Sequence, residues 1–187
     1  MGDGSFTGIV PGDRVIHRGR RVHLILRTVP TSSGAHIERE VCIHPGAVII
    51  LPVVDDGRIV LIRNRRHTVF EDLLELPAGT LEWNQGQPED PALCAARELT
   101  EETGYSARKI DPFGWFYTSP GILTEKMYAF IARGLSAGSQ ALEDSEQIQV
   151  QLHSPDEIMA LIRENRIVDA KSLATLLKYL VAESGNR

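Results

Sequence analysis

Alternation of branched and polar residues dominates the first ~45 positions and predicts strands there rather than helices. Val22 to Val29 (VHLILRTV) reads as one strand and His36 to Ile43 (HIEREVCI) as another, with Thr31-Ser32-Ser33-Gly34 as the hairpin loop between them. So short a piece buries little alone, and it is expected to pack on the main domain or on a second subunit. His44-Pro45-Gly46 punctuates the boundary. Val48 to Val54 is a nearly unbroken apolar run, the pattern of a strand covered on both faces. Asp55-Asp56-Gly57 suits a tight hairpin turn, after which Ile59-Val60-Leu61-Ile62 returns within Arg58 to Arg63. Leu73-Leu74-Glu75-Leu76 predicts a short strand before a tight loop at Pro77-Ala78-Gly79.

One helix is clearly signposted: Asp90 can cap it, Pro91 suits its first position and Gly104 suits the left-handed residue beyond its end. Gly114 to Thr118, Lys126 to Ala132 and Ile148 to Leu152 read as strands. Ser154-Pro155-Asp156-Glu157 forms a capping box that should start a second helix. A last helix begins near Asp169, with Leu173, Leu176, Leu177 and Leu180 on one stripe. Strands mixed with helices at this length imply a layered α/β architecture.

Composition narrows the classes. The 187 residues are 42% hydrophobic and 24% charged, enough for one domain with a core of its own. A formal net charge of -5 argues against broad nucleic-acid binding, which draws on basic residues that displace counterions from phosphates. Cys42 and Cys94 lie far apart in no ligand-like spacing, which disfavours a thiolate zinc site and a disulfide framework. No apolar run approaches the ~20 residues needed to cross a bilayer. The start, with Asp3 and several glycines, lacks a basic region followed by an apolar stretch. A cytoplasmic protein without membrane contact is the expectation.

The chemistry concentrates in Arg97-Glu98-Leu99-Thr100-Glu101-Glu102-Thr103-Gly104-Tyr105. Glu98, Glu101 and Glu102 fall at i, i+3 and i+4 and share one helical face, with Ala92, Ala96, Leu99 and Thr103 expected on the opposite, packing side. Like charges at that spacing repel by about a few tenths of a kcal/mol. Glu101 and Glu102 also lie near the negative end of the helix dipole. Arg97 can offset part of this through Glu101, and a hard divalent cation can offset more. Mg²⁺ takes oxygen ligands, usually one or two carboxylates with waters and substrate phosphates. The plain alternative is a solvated acidic face.

These residues resemble the signature of the Nudix hydrolases, G-x5-E-x7-R-E-U-x-E-E-x-G-U with U apolar. Arg97, Glu98, Leu99, Glu101, Glu102 and Gly104 match, Tyr105 takes the last apolar place, and Glu89 stands at the required distance from Arg97. Gly79 is similar to the opening glycine, but nine residues separate it from Glu89 where the pattern has five, so the loop through Leu81 to Pro88 carries four extra residues. His44-Pro45-Gly46-Ala47, Leu61 to His67 (LIRNRRH), Leu74 to Gly79 (LELPAG) and Pro120 of Ser119-Pro120-Gly121 are similar to the ADP-ribose pyrophosphatase branch.

The resemblance implies an α/β fold, a Nudix-type α/β/α sandwich around a mixed sheet. Residues 1–45 would be an N-terminal antiparallel β extension that helps form a homodimer, and 46–187 the hydrolase domain. It implies Mg²⁺-dependent hydrolysis, with Mn²⁺ as a substitute, of the pyrophosphate bond of a nucleoside diphosphate sugar. ADP-ribose, giving AMP and ribose 5-phosphate, is the leading substrate. The alternatives are another nucleoside diphosphate sugar, NADH, or a Nudix-fold binding module without catalysis. By the same resemblance Glu98, Glu102, Glu101 and the Ala78 carbonyl hold metal, and Arg97 orients the glutamates. Glu146, with Glu143 in reserve, is the base or an added ligand. Arg66 contacts phosphate or ribose, and Ser119, Pro120, Gly121 and Glu125 lie on the substrate side. Cys94 is read as a packing residue and His67 as structural.

Overall fold

The computed structural model describes residues 8–84, 87–144 and 146–184. The N-terminal stretch around Asp3, Gln85 and Gly86 of the extended loop, and Ser145 of the late acidic loop lie outside the described residues.

Strands β1 (Arg14–Arg18), β2 (His23–Pro30) and β3 (His36–Ile43) form an antiparallel sheet in that order. The expected β2–β3 hairpin runs from His23↔Ile43 to Pro30↔His36, and Thr31 N–H closes its turn on the Ala35 carbonyl at 2.7 Å. β1 goes unsignalled because four of its five residues are exposed. Its Val15 packs on a small cluster built around Ile25 and Ile43.

The mixed sheet has the order β10 (Tyr105–Tyr117), β11 (Lys126–Ala137), β4 (Ala47–Pro52), β7 (Ala78–Thr80), with β11 parallel to β4. A second, antiparallel sheet has the order β12 (Ile148–His153), β5 (Ile59–Arg66), β6 (Glu71–Glu75). The apolar run of β4 divides its residues between two cores. Val48 and Ile50 pack with Cys94, Ala95 and Leu99 of helix α1 (Pro91–Thr103). Ala47, Ile49 and Leu51 pack with Leu61, Leu76, Ile158 of α2 (Pro155–Arg163) and Leu176 of α3 (Ala170–Ser184). Helices thus lie on both sides of the mixed sheet, and each large apolar side chain buried there contributes about 1.5–3 kcal/mol.

Several expectations need correction. The Asp55-Asp56-Gly57 turn forms the tight hairpin end, with Gly57 N–H on the Val54 carbonyl and Val54 N–H on the Arg58 carbonyl at 2.9 Å each, but the ladder goes no further than the next pair. Val53 bridges Ile59, and then β4 and β5 enter different sheets. β4 and the first half of β5, Ile59 to Ile62, are unbroken apolar runs, so periodicity could not separate the two outcomes. The expected loop at Pro77-Ala78-Gly79 gives way at Ala78 to β7, paired with β4. β10 and β11 are longer than Gly114 to Thr118 and Lys126 to Ala132, because exposed Arg108 and Lys109 on β10 break the apolar signal. On α3 the buried stripe is Ser172, Thr175, Leu176 and Tyr179, whereas Leu177 is exposed.

Candidate active site

Local sequence sets α1 in place. The Asp90 carboxylate accepts from Ala92 and Leu93 N–H at 2.8 and 3.2 Å, and Pro91 opens the first turn. Gly104 closes the helix at φ 74°, and a Cβ there would stand 2.9 Å from the Gly138 carbonyl, so both backbone and space call for glycine. The four extra residues upstream are absorbed by a small antiparallel pair, β8 (Trp83–Asn84) with β9 (Gln87–Pro88). Glu89 N–H then bonds the Glu82 carbonyl at 2.7 Å, which closes the excursion before Asp90 and leaves the helix start intact.

The glutamates do not form a solvated face. The helix is turned so that Ala92 and Ala96 are exposed while Cys94, Ala95, Leu99, Glu102 and Thr103 are buried. Glu102 is only 4% exposed, and its Oε2 accepts from the Ala78 N–H at 2.9 Å. Glu98 lies against the backbone of Gly79: a Cβ there would stand 1.9 Å from the Glu98 carboxyl, so the missing side chain is what admits the carboxylate. Arg97 forks across Glu98 at 2.8 Å, Glu101 at 2.9 Å and Glu89 at 3.1 Å, so one guanidinium ties the three carboxylates together. Cys94 is buried among packing residues, and burial pushes its thiol well above the usual range.

Burial also dominates the ionisation of this turn. It pushes Glu98 up to about 7 against the opposing pull of Arg97. It pushes Glu102 up to about 8, with the Ala78 N–H pulling the other way and Glu98 and Glu146 adding repulsion. Arg97 keeps its charge despite its own burial because Glu89, Glu98 and Glu101 surround it.

Glu98 and Glu102 open into a cavity of about 430 Å³, whose walls include Arg66, Ala78, Gly79, Glu143 and Glu146. The acidic loop reaches it because Gln140 Nε2 donates to the Glu102 carbonyl at 2.6 Å and Ala141 N–H to the Glu101 carbonyl at 3.0 Å. Glu146 Oε2 in turn accepts from Glu143 N–H at 2.9 Å. A second cavity of about 390 Å³ shares Arg66, Ala78, Gly79 and Thr80 with the first and adds Glu75, Thr118, Glu125 and Lys171. The two spaces adjoin along Arg66, Ala78, Gly79 and Thr80, as two arms of a cleft.

Not every expected residue lines that cleft. Glu101 is outside both walls, turned onto Arg97. Ser119, Pro120 and Gly121 are exposed and line neither cavity, although their neighbours Thr118 and Glu125 do. His67, which was not expected in the site, is exposed and lines neither. Arg66 is present, but its Nε and Nη2 are already given to Glu75 at 2.8 and 2.6 Å.

The residues that spacing missed come from distant segments. Glu75 is wholly buried and also accepts from Lys171 Nζ at 2.7 Å. Asp169 caps α3, takes a second Lys171 bond at 2.7 Å and holds Ser172, whose Oγ accepts from Leu76 N–H at 2.8 Å. Arg20 and Arg21, between β1 and β2, stand on the wall of the first cavity, with Arg21 4.0 Å from Glu143. A basic run in a short turn was the only signal for these two, and a lone lysine gave none.

The donor set fits a divalent cation. Arg97 takes one oxygen of Glu98 and Ala78 N–H takes one of Glu102, and both carboxylates line the same cavity as Glu146. Two hard carboxylates with room for water and phosphate are what Mg²⁺ favours. Among the described residues, no three His, Cys, Asp or Glu side chains are arranged to hold a metal ion together; Arg97 Nη1 lies between Glu98 and Glu101 and takes an oxygen of each. Gly79→Ala tests the cradle. It is expected to leave the fold intact, because the clash is with the end of a side chain, and to lower turnover by about 10²-fold by displacing Glu98. Steady-state rates beside a melting curve decide it; unchanged rates would show the close approach to be incidental.

A family model described as the NUDIX domain matches residues 43–176. The chain is 35% identical over 167 residues to an ADP-ribose pyrophosphatase of Bacillus subtilis (strain 168), covering 88% of each. It is equally similar, with the same coverage, to a methanol dehydrogenase activator of Bacillus methanolicus. It is 31% identical over 151 residues to a GDP-mannose pyrophosphatase of Citrobacter koseri (strain ATCC BAA-895 / CDC 4225-83 / SGSC4696), covering 74% of each. A crystal structure of an ADP compounds hydrolase shares the fold at a TM-score of 0.76 and 23% identity, covering 94% of this chain and 92% of that one.

Proposed function

This chain belongs to the NUDIX domain family, and from that premise we propose that it hydrolyses the pyrophosphate bond of a nucleoside diphosphate sugar, ADP-ribose foremost, to AMP and ribose 5-phosphate. The observation that carries the reading is the two-armed cleft: half-buried Glu98 and buried Glu102 line one arm, Arg66 borders both, and Glu125 and Lys171 line the other. A ligand with a diphosphate between two polar ends suits that shape.

Glu98 and Glu102 would hold Mg²⁺, with the Ala78 carbonyl and Glu101 as further candidates and Mn²⁺ as a substitute. A bound cation supplies charge neutralisation on the diphosphate and acidifies the attacking water. Arg97 orients Glu98. Glu146 is the candidate base, poised by its bond to the Glu143 backbone. Arg66, with Nη1 free of Glu75, donates to a phosphate oxygen where the two arms adjoin. Glu125 accepts from sugar hydroxyls in the second arm. Residues 1–45 serve as a dimerising extension of the 46–187 domain, and the protein works in the cytoplasm; among the described residues, no helix is long and apolar enough to cross a membrane.

GDP-mannose pyrophosphatases among the relatives favour another nucleoside diphosphate sugar as the second reading. Product analysis with Mg²⁺ on a panel of ADP-ribose, GDP-mannose, ADP-glucose and NADH tests both. AMP and ribose 5-phosphate from ADP-ribose in clear preference supports the proposal. Preference for another member moves the substrate, and no turnover of any removes the enzyme.

Metal and pH are linked. The folded chain holds protons on Glu98 and Glu102 up to about 7 and about 8, whereas an unfolded glutamate releases its proton near 4.5. The metal-free protein therefore loses stability as pH rises from 4.5 through 8, and a cation that needs both carboxylates ionised restores it. Saturating Mg²⁺ is expected to raise the melting temperature by about 2–4 °C more at alkaline than at mildly acidic pH. A metal effect independent of pH would exclude these two carboxyls as ligands.

A further inference from the structure

His44 lies outside the acidic turn, yet it stands beside the second arm of the cleft with a fixed orientation. Its Nδ1 accepts from the Gly46 N–H at 3.1 Å, and a ring nitrogen that accepts carries no hydrogen. The hydrogen of the neutral ring is then on Nε2, 3.4 Å from Glu125 Oε1. Burial lowers the His44 pKa, in keeping with the neutral form. The backbone holds this pair in register. His44 N–H donates to Thr124 Oγ1 at 2.9 Å, Thr124 N–H to the Cys42 carbonyl at 3.0 Å, and Cys42 N–H to the Ile122 carbonyl at 2.7 Å. The end of β3 and the segment before Glu125 are thus stapled together.

Glu125 is held from its other side by the Thr118 hydroxyl, which donates to Oε2 at 2.6 Å. Oε2 thus accepts a hydrogen bond, and Oε1 has the His44 ring edge 3.4 Å away, a longer charge–dipole contact, so both oxygens keep acceptor capacity for the cavity that Glu125 lines. Two acceptors on one rigid carboxylate match two neighbouring hydroxyls of a sugar. We propose that His44 is a positioning residue that, with Thr118, fixes Glu125 as a paired acceptor for a vicinal diol of the substrate's sugar. The inference rests on the reading above that a nucleoside diphosphate sugar occupies this cleft.

A positioning role predicts a loss in binding rather than in the chemical step. Steady-state kinetics with ADP-ribose and Mg²⁺ on the full chain test it. His44→Ala is expected to raise KM about tenfold by letting Glu125 turn from its set orientation, with kcat nearly unchanged. Glu125→Ala should raise KM at least as much, and adding His44→Ala to it should raise KM no further. His44→Gln, whose amide N–H reaches the Nε2 position, should keep KM near the wild type, whereas His44→Asn, which reaches only Nδ1, should not. This last contrast carries the test if His44→Ala fails to fold. A KM effect that persists without Glu125, a loss confined to kcat, or His44→Gln as impaired as His44→Asn overturns the proposal. Wild-type turnover with KM unchanged in His44→Ala sinks the positioning role alone. A wild-type chain that hydrolyses no nucleoside diphosphate sugar takes down the reading of the activity and this inference together.

Discussion

Glu102→Gln is expected to lower turnover of ADP-ribose by about 10³-fold at saturating Mg²⁺, the scale of losing a central electrostatic group in a dry site. The same change should leave the metal-free fold intact or make it more stable at alkaline pH. Glu102 is nearly enclosed, burial pushes it up to about 8, and its partner is a backbone N–H that an amide oxygen accepts equally well. The neutral isostere thus keeps the Ala78 bond and removes the cost of a buried charge. The measurement is a pair: kcat with Mg²⁺, and the urea midpoint without it at about pH 8. Near-normal turnover would remove Glu102 from the metal site. Lost turnover with a collapsed urea midpoint would mean that the carboxylate serves the fold instead.

Glu75→Ala is expected to destabilise the folded chain by about 3 kcal/mol, near the lower end for breaking a buried ion pair. Glu75 is wholly buried and bridges Arg66, with two bonds, to Lys171 with one. Removing it leaves two cations facing each other across the cleft wall. Arg66 is partly exposed, so water relieves part of that repulsion, which is why the lower end applies. Because Glu75 also aims Arg66, KM should rise along with the loss of stability. Glu75→Gln, which keeps an acceptor but not the charge, should fall between. An unchanged urea midpoint in Glu75→Ala would show the network to be ornamental to the fold.

Much of the scaffold was legible because its signals are local. Asp90, Pro91 and Gly104 mark the ends of α1 through backbone chemistry that needs no neighbour. The same holds for the capping box at Ser154 and Glu157, where both reciprocal bonds form. Failures came where two solutions satisfy one pattern. The apolar runs of β4 and β5 suit one ladder or two sheets equally well, and long-range pairing with β11 and β12 decided between them. The rotation of α1 was misjudged for a related reason: hydropathy places Ala92 and Ala96 inside, but packing against Val48 and Ile50 turns Glu102 inward instead.

By itself the sequence determined that Glu98, Glu101 and Glu102 share a helical turn after a capped start, because helical periodicity is a property of consecutive residues. It also marked Arg97 as their organiser, since an i, i+4 pair is settled within one helix. Only the tertiary structure decided which carboxylates are buried. Glu98 and Glu102 meet Gly79 and Ala78 of β7, while Glu101 stays at the edge on Arg97. It alone joined Arg66 to Lys171 through Glu75, and His44 to Glu125, across gaps of roughly 80 to 105 residues. Such contacts depend on how sheets and helices stack, and stacking is set by the sum of many weak apolar contacts rather than by any short motif.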